Sequence, residues 1–139
     1  MTDVATSLRE LGIKEWVLRG KPENESQYRR MFRKVIGEDS NGTAIESDDH
    51  TKFGVTWAEI TAKMDELKKA EPMKLLRRER DKLLAETDWW ASSDLTITTA
   101  QKKYRQDLRD ITKTANPKII GDGPRTSLDM SSVTWPTKP

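Results

Sequence analysis

The chain has 139 residues, which fits one domain of ordinary size or a small domain with attached arms. Only 34% of the residues are hydrophobic while 35% are charged, so we expect a thin core that neighbouring proteins help to cover. The 25 basic and 23 acidic residues nearly balance, which excludes a general polyanion binder, and the lack of cysteine excludes disulfides, thiolate zinc sites and cysteine nucleophiles. Without a signal-peptide pattern or an apolar span, the sequence predicts a soluble protein with no membrane partner.

Residues 1–36 are predicted to form a short N-terminal α/β layer. Thr2 or Asp3 can cap a first short helix, and the apolar residues of 13–18 indicate one extended segment that a turn ends. Asn24 can cap a second helix over residues 25–34, because apolar side chains recur there at helical spacing.

Residues 37–55 are predicted to be a long acidic loop between this layer and a helical second half. Within it, Asp39, Asn41 and Asp48 are spaced as in an EF-hand calcium loop, but Gly37 stands at the first ligand position and brings no side-chain oxygen. We therefore interpret the segment as a solvated turn and predict no metal site.

His50, the single histidine, lies in the same loop. No second histidine, no Gly-x-Ser-x-Gly motif and no glycine-rich phosphate loop accompanies it. The sequence therefore predicts no catalytic residue, no cofactor and no enzymatic activity.

Residues 56–113 are predicted to form a helical body. Thr56 and Glu59 make a capping box, which begins a helix over 57–71 that Pro72 ends or kinks.

Two further helices, over 73–90 and 99–112, are predicted to pair as an antiparallel hairpin because the connection between them is short. Thr98 and Gln101 form a second capping box at the start of the later helix. One apolar stripe on each helix gives the predicted hairpin core, which consists of Leu76, Leu83, Trp90, Tyr104, Leu108 and Ile111.

Residues 114–139 are predicted to be an extended C-terminal arm, since prolines and glycines interrupt every periodic pattern there. Intermittent apolar residues suit an arm that lies along its own body or along a neighbouring protein. The fold class expected for the whole chain is mainly α with minor β.

The densest basic cluster lies at 74–82, on the second predicted helix, and a basic helix can bind phosphates. Glu79 and Asp81 alternate with its cations, however, and this spacing favours salt bridges on a solvated face. Nucleic acid is therefore not the expected partner.

Five tryptophans are unusual in so polar a chain. Trp57 and Trp90 lie on apolar helical stripes and are assigned to the core. The others, and an apolar residue of the arm, have no such explanation and form our hypothesis for partner binding, because tryptophan is a common interface anchor. These candidate anchors are Trp16, Trp89, Val133 and Trp135.

The run from Leu75 to Ile111 contains two motifs separated by a polar turn. The first consists of Arg80, Leu83, Leu84, Thr87, Asp88, Trp89 and Trp90, and the second of Thr98, Gln101, Tyr104, Arg105, Gln106, Leu108, Arg109, Asp110 and Ile111. In order and spacing they closely resemble the phage tail assembly chaperone family. With residues 12–20 and 31–35, the module is also similar to small structural proteins of tailed cyanobacterial phages.

The resemblance implies no catalytic residues and a part in building a phage particle. It favours a virion structural or tail-assembly protein that binds other phage structural proteins of the tail, baseplate, fibre or capsid, with a homo-oligomer as a further option. Its expected locations are the virion and, during assembly, the host cytoplasm. Two alternatives stay open, a transient tail or tail-fibre chaperone absent from the mature virion and a nucleic-acid-binding module that uses helix 74–82.

Overall fold

A computed structural model describes residues 3–121 and 125–139 of the chain. The chain divides into two compact units, Met1–Lys69 and Ala70–Pro139. The predicted fold class, mainly α with minor β, is confirmed. In the described part of the chain, no helix combines the length and the apolar character that crossing a membrane requires.

The first unit begins with helix α1 (Val4–Glu10), whose N-terminus is capped by the Asp3 carboxylate as predicted. Strand β1 (Trp16–Leu18) follows in the predicted extended segment. Helix α2 (Glu25–Met31) is capped by Asn24, whose side-chain oxygen accepts a hydrogen bond from the backbone of the first turn.

Helix α2 ends three residues earlier than predicted, because Phe32 already has extended backbone angles and begins strand β2 (Phe32–Glu38). Residues 32–34 pair with β1, so pairing in a sheet overrides the local helical spacing. The guanidinium of Arg33 donates to the last carbonyl groups of α2 and to that of Phe32, which satisfies acceptors that the end of the helix exposes.

The interpretation of residues 37–55 as a loop was wrong for its first half. Strand β2 continues to Glu38 and pairs with strand β3 (Ala44–Ser47), so the three strands form an antiparallel sheet in the order β1–β2–β3. The Asp39 carboxylate accepts hydrogen bonds from two backbone N–H groups of the intervening turn. That carboxylate therefore closes the turn of a hairpin.

The core of the first unit is an aromatic cluster around Phe32, whose ring centroid lies 4.7 Å from that of Phe53 and 5.2 Å from that of Tyr28. The Tyr28 hydroxyl donates to the carbonyl oxygen of Val55. Burial, together with the negative charge of Glu59, raises the pKa of Tyr28 to about 12, so the hydroxyl remains a donor at physiological pH. The buried members of the cluster are Val4, Leu8, Tyr28, Phe32, Phe53, Val55 and Ile60.

Helix α3 runs without interruption from Trp57 to Ala85, beginning at the predicted capping box of Thr56 and Glu59. The predicted helix limits 57–71 and 73–90 were therefore wrong, since the helix does not end at Pro72. Proline removes one backbone donor, but the helix on either side is held by packing, with Ile60 in the core of the first unit and Leu76 in that of the second.

Helix α4 (Thr99–Asp110) begins at the predicted capping box of Thr98 and Gln101. It runs antiparallel to the end of α3, since Leu76 shares a cluster with Ile111 while Leu83 packs against the cluster that contains Leu108.

The C-terminal segment does not stay extended, contrary to the prediction for 114–139. Strand β4 (Lys118–Ile120) pairs antiparallel with strand β5 (Ser127–Asp129), and a 3-10 turn follows at Met130–Ser132. The chain thereby returns and brings Val133 and Trp135 against the clusters of the hairpin. The arm is part of the second unit.

Replacing Pro72 by alanine should raise the free energy of unfolding by about 1–3 kcal/mol, because it restores a backbone hydrogen bond within a continuous helix. Chemical denaturation followed by circular dichroism measures the change. Lys69→Ala, one turn earlier on an exposed position, is the control and should be nearly neutral. A loss of stability in Pro72→Ala would mean that the fold requires a kink there.

Candidate protein-binding site at the end of the helical hairpin

The end of helix α3 is fixed by Thr87, a polar residue that is fully buried. Its backbone N–H donates to the carbonyl oxygen of Leu84, and its side-chain Oγ1 lies 3.1 Å from the same oxygen. The last turn is thus closed by local hydrogen bonds, and a short 3-10 turn, Asp88–Ala91, replaces the predicted helix up to residue 90.

Arg105 of helix α4 ties this helix end to the other half of the hairpin. Its Nη1 donates to the carbonyl oxygen of Leu84 at 2.9 Å and to Thr87 Oγ1 at 2.7 Å, and its Nη2 lies 2.9 Å from a carboxylate oxygen of Asp88. A cation at the C-terminus of a helix also interacts favourably with the helix dipole. One guanidinium therefore stabilises the helix end, the buried threonine and the first residue of the 3-10 turn.

The 3-10 turn places two adjacent tryptophans in opposite environments. Trp90 is 5% exposed and lies against Tyr104, with ring centroids 5.9 Å apart, while Lys138 approaches its ring to 5.9 Å from the centroid. Trp89 is 62% exposed. Only one of the two indoles therefore contributes to the core of the hairpin.

The Trp89 ring is held in a defined position although it is exposed. Its Nε1 donates to the carbonyl oxygen of Glu86 at 3.1 Å, and its ring meets that of Trp90 edge to face, with centroids 6.2 Å apart. Because the only polar atom of the indole is already bonded, the surface left to solvent is apolar. Leu95, 48% exposed in the same connection between the helices, is also apolar.

The charged residues in the connection that carries this apolar surface are all acidic. Between Lys82 and Lys102 the chain contains the acidic residues Glu86, Asp88 and Asp94 and no basic residue. Of these carboxylates, that of Asp88 pairs with Arg105 from helix α4. We refer to Glu86, Asp88, Trp89, Asp94 and Leu95, which combine exposed apolar residues with the carboxylates of this connection, as the hairpin tip.

The six residues predicted for the hairpin core lie in two adjoining clusters. Leu76 and Ile111 are buried together with Val133, and Trp90, Tyr104 and Leu108 form the second cluster, against which Leu83 packs.

Two of the predicted partner anchors lie inside the unit. Val133 is only 7% exposed, and Trp135 packs against both clusters while its Nε1 donates to the carbonyl oxygen of Met130. The burial of Val133 contradicts its assignment as a free anchor, whereas Trp135 is partly buried on its own unit and keeps some exposed surface, because strands β4 and β5 turn the chain back. Nothing in the local sequence pattern indicated that pairing.

Trp16 lies in the first unit and is partly buried. Its ring is stacked on Phe32 with centroids 6.3 Å apart, its Nε1 donates to the carbonyl oxygen of Ile13, and it lines a surface cavity. Trp16 therefore packs against the core of the first unit and also lines the cavity.

The basic cluster at 74–82 and His50 are the remaining charged candidates from the sequence. In the basic cluster, Arg80 pairs with Asp81 and Lys82 with Glu79, as the alternating charges predicted. His50 is exposed in a short 3-10 turn. Across residues 3–121 and 125–139, no group of three or more histidine or acidic side chains is placed to hold a metal ion.

Residues 73–139 match the family model described as phage tail assembly chaperone protein. These residues are therefore similar to that family, and we refer to residues 73–139 below as the chaperone module. The resemblance seen over residues 75–111 is thereby confirmed, and the match extends beyond it to the last residue. Comparison with curated proteins and with solved structures finds no match.

The limits of the chaperone module agree with its packing. It begins at Met73, which packs against the cluster of Leu76 and Ile111, and it includes the C-terminal segment that supplies Val133 and Trp135 to the hairpin. The family match and the two core clusters of the second unit thus cover the same stretch of the chain. The first unit lies outside the match.

Sequence reasoning missed the role of Arg105 in the chaperone module. Thr87, Asp88 and Arg105 all belong to the motifs that carry the resemblance, but their spacing along the chain does not show that they meet. When the two predicted helices are arranged antiparallel, Arg105 on the later helix lies level with Thr87 and Asp88 on the earlier one. This placement was the signal that the sequence offered.

Replacing Arg105 by alanine should lower the free energy of unfolding by about 2 kcal/mol, because it leaves the buried Thr87 and the helix end without a charged donor. Urea denaturation measures the loss. Lys102→Ala, an exposed cation in the same helix with no side-chain partner shown, is the matched control and should change little. Equal effects in both variants would contradict the role assigned to Arg105.

Two tryptophan variants distinguish a ring that stabilises the core from a ring that lies at the surface. Trp135→Ala should cost about 2 kcal/mol of stability, since it removes a ring that packs on both clusters, whereas Trp89→Ala should stay within about 0.5 kcal/mol of the unsubstituted chain. Thermal unfolding of the two variants side by side gives the comparison. If Trp89→Ala were the more destabilising, the core assignment would be wrong.

Proposed function

We propose that this protein is a non-enzymatic phage tail-assembly protein that binds phage structural proteins through the hairpin tip, with Trp89 as the anchor. The observation that carries the proposal is the 62% exposure of Trp89 beside Trp90, which is 5% exposed, within a module that matches the tail assembly chaperone family. A large indole left in water beside a thin core is better explained by a contact than by the fold.

The fixed position of Trp89 supports this role. An indole that is already restrained by a hydrogen bond and an edge-to-face contact loses little conformational freedom when a partner covers it. Tryptophan is enriched among the few residues that dominate the affinity of protein interfaces. The hairpin tip therefore has the properties of a preorganised anchor.

The border of the hairpin tip indicates the chemistry of its partner. Glu86 and Asp94 have no side-chain partner within the described residues, and Asp88 is only partly neutralised by Arg105. An apolar recess with basic side chains at its edge would complement this surface, and its charges would also speed the encounter.

The absence of enzymatic activity is part of the proposal. It is supported by the family match, by the exposed position of His50 outside the chaperone module, and by an Asp39 carboxylate that is bonded within its own turn. The hairpin tip itself carries no nucleophile paired with a base.

A permanent virion component and a transient chaperone are both compatible with this binding surface. The name of the matched family favours the transient form, which acts in the host cytoplasm during assembly and leaves the finished particle. The C-terminal segment also packs on its own unit, so it gives no argument for a permanent arm on another virion protein.

Mass spectrometry of purified virions separates the two forms. The transient form predicts that the chain is abundant in the infected cell and absent from the particle. Detection of the chain in the virion, at a copy number comparable with known tail components, would establish the permanent form instead.

In a phage that carries Trp89→Ala in this gene, we expect a strong loss of tailed particles while the protein itself remains folded and abundant. Electron microscopy of lysates and immunoblotting provide the two measurements. Ile120→Ala removes an apolar side chain that is 54% exposed elsewhere in the same unit and is the matched control, with normal tails expected. Normal tail formation in Trp89→Ala would contradict the proposed anchor.

A further inference from the structure

The end of helix α3 depends on which donors reach the carbonyl oxygen of Leu84. In a continuing α-helix this oxygen would accept a hydrogen bond from the backbone N–H of Asp88, four residues later. In the structure it accepts instead from the backbone N–H of Thr87 at 3.1 Å and from Nη1 of Arg105 at 2.9 Å. These two donors therefore determine where the helix ends and the 3-10 turn begins.

Asp88 holds the guanidinium of Arg105 in the orientation that this bond requires. A guanidinium is planar, so its two Nη groups are fixed relative to each other. Nη1 reaches Leu84 and the buried Thr87, and Nη2 lies 2.9 Å from a carboxylate oxygen of Asp88. Within the described residues the Asp88 side chain has no other hydrogen bond or ion pair. Its carboxylate thus fixes one end of a rigid group whose other end closes the helix.

The residue that follows Asp88 is the exposed Trp89. Its Nε1 donates to the carbonyl oxygen of Glu86 at the helix end, and its ring meets that of Trp90 edge to face. Both contacts depend on the path of the backbone through Asp88, where the 3-10 turn begins. The Asp88 side chain is 68% exposed, and ion pairs on exposed side chains add little to the stability of a fold. Its effect on the position of the indole should therefore exceed its effect on the stability of the unit.

We propose that Asp88 is a positioning residue, which holds the Trp89 indole in its binding orientation through the Arg105 guanidinium. This inference rests on the proposed function, in which Trp89 is the anchor. Asp94 provides the contrast, because its side chain makes no hydrogen bond or ion pair among the described residues and its charge remains available to a partner. Asp88 acts inside the chaperone module, and Asp94 acts on the partner.

Hydrogen exchange of the indole N–H groups in the purified full-length chain tests the positioning. A heteronuclear NMR spectrum should show five indole signals, one for each tryptophan, and Trp89→Phe identifies that of Trp89. In Asp88→Ala this signal should exchange about tenfold faster, because the ring is no longer held at the Glu86 carbonyl oxygen. The signal of Trp135, whose Nε1 also donates to a backbone carbonyl oxygen in the same unit, should keep its rate.

Two amide variants separate position from charge. Asp88→Asn removes the charge but keeps an oxygen that accepts a hydrogen bond from Arg105, and Asp94→Asn removes a charge alone. In both variants the Trp89 indole should exchange within about threefold of its rate in the unsubstituted chain. Should Asp88→Ala fail to fold by circular dichroism, Asp88→Ser replaces it, because the shorter side chain does not reach Arg105.

Electron microscopy of phage lysates gives the functional comparison. Asp88→Ala should lower the number of tailed particles about tenfold, because the partner must then order a mobile indole. Asp88→Asn should resemble Asp94→Asn, with a smaller loss. Immunoblotting should find each variant at the level of the unsubstituted chain.

Two results would overturn the inference. One is a Trp89 indole that exchanges equally fast in Asp88→Ala and in Asp94→Asn. The other is an equal loss of tails in Asp88→Ala, Asp88→Asn and Asp94→Asn, which would mean that only the charge of the hairpin tip matters. In either case a loss of tails in the Trp89→Ala phage would still support the proposed function, whereas normal tails in that phage would contradict the proposed function itself.

Discussion

The arrangement of the second unit depends on how helix α3 ends. Thr87 and the guanidinium of Arg105 share the carbonyl oxygen of Leu84, which closes the last turn and joins the two helices of the hairpin. The 3-10 turn that follows rotates the next two residues out of the helical phase. Trp90 is thereby buried against Tyr104, and Trp89 is left at the surface with its Nε1 already bonded.

The features that the sequence predicted well are local ones. The capping boxes at Thr56 and Thr98 and the cap at Asn24 involve residues within four positions of each other, so short motifs suffice to identify them. The uninterrupted passage of α3 through Pro72 could not be predicted in the same way, because packing of Ile60 and Leu76 on either side overrides the local preference. The start of strand β2 was hidden for a similar reason, since its residues 32–34 pair with β1, which lies on the other side of α2 in the sequence.

The candidate site also combines a feature that local sequence could predict with one that depends on contacts between distant residues. The different exposure of Trp89 and Trp90 could be predicted from helical geometry, although its physical cause is the end of α3 and not the position of Trp89 on a longer helix. The placement of Val133 and Trp135 could not be predicted, since it depends on the pairing of β4 with β5. In the function proposed above, the contact with the partner lies at the hairpin tip, while the C-terminal segment packs on the clusters of the same module.

Site-specific photo-crosslinking at position 89 in infected cells tests the central claim most directly. A photoreactive aromatic residue in place of Trp89 should form crosslinks, identified by mass spectrometry, to a phage tail protein or to a second copy of this chain. The same residue introduced at Ile120 should give no such product. Equal crosslinking from both positions, or no phage product from position 89, would contradict the account in which Trp90 holds the hairpin together and Trp89 contacts a partner.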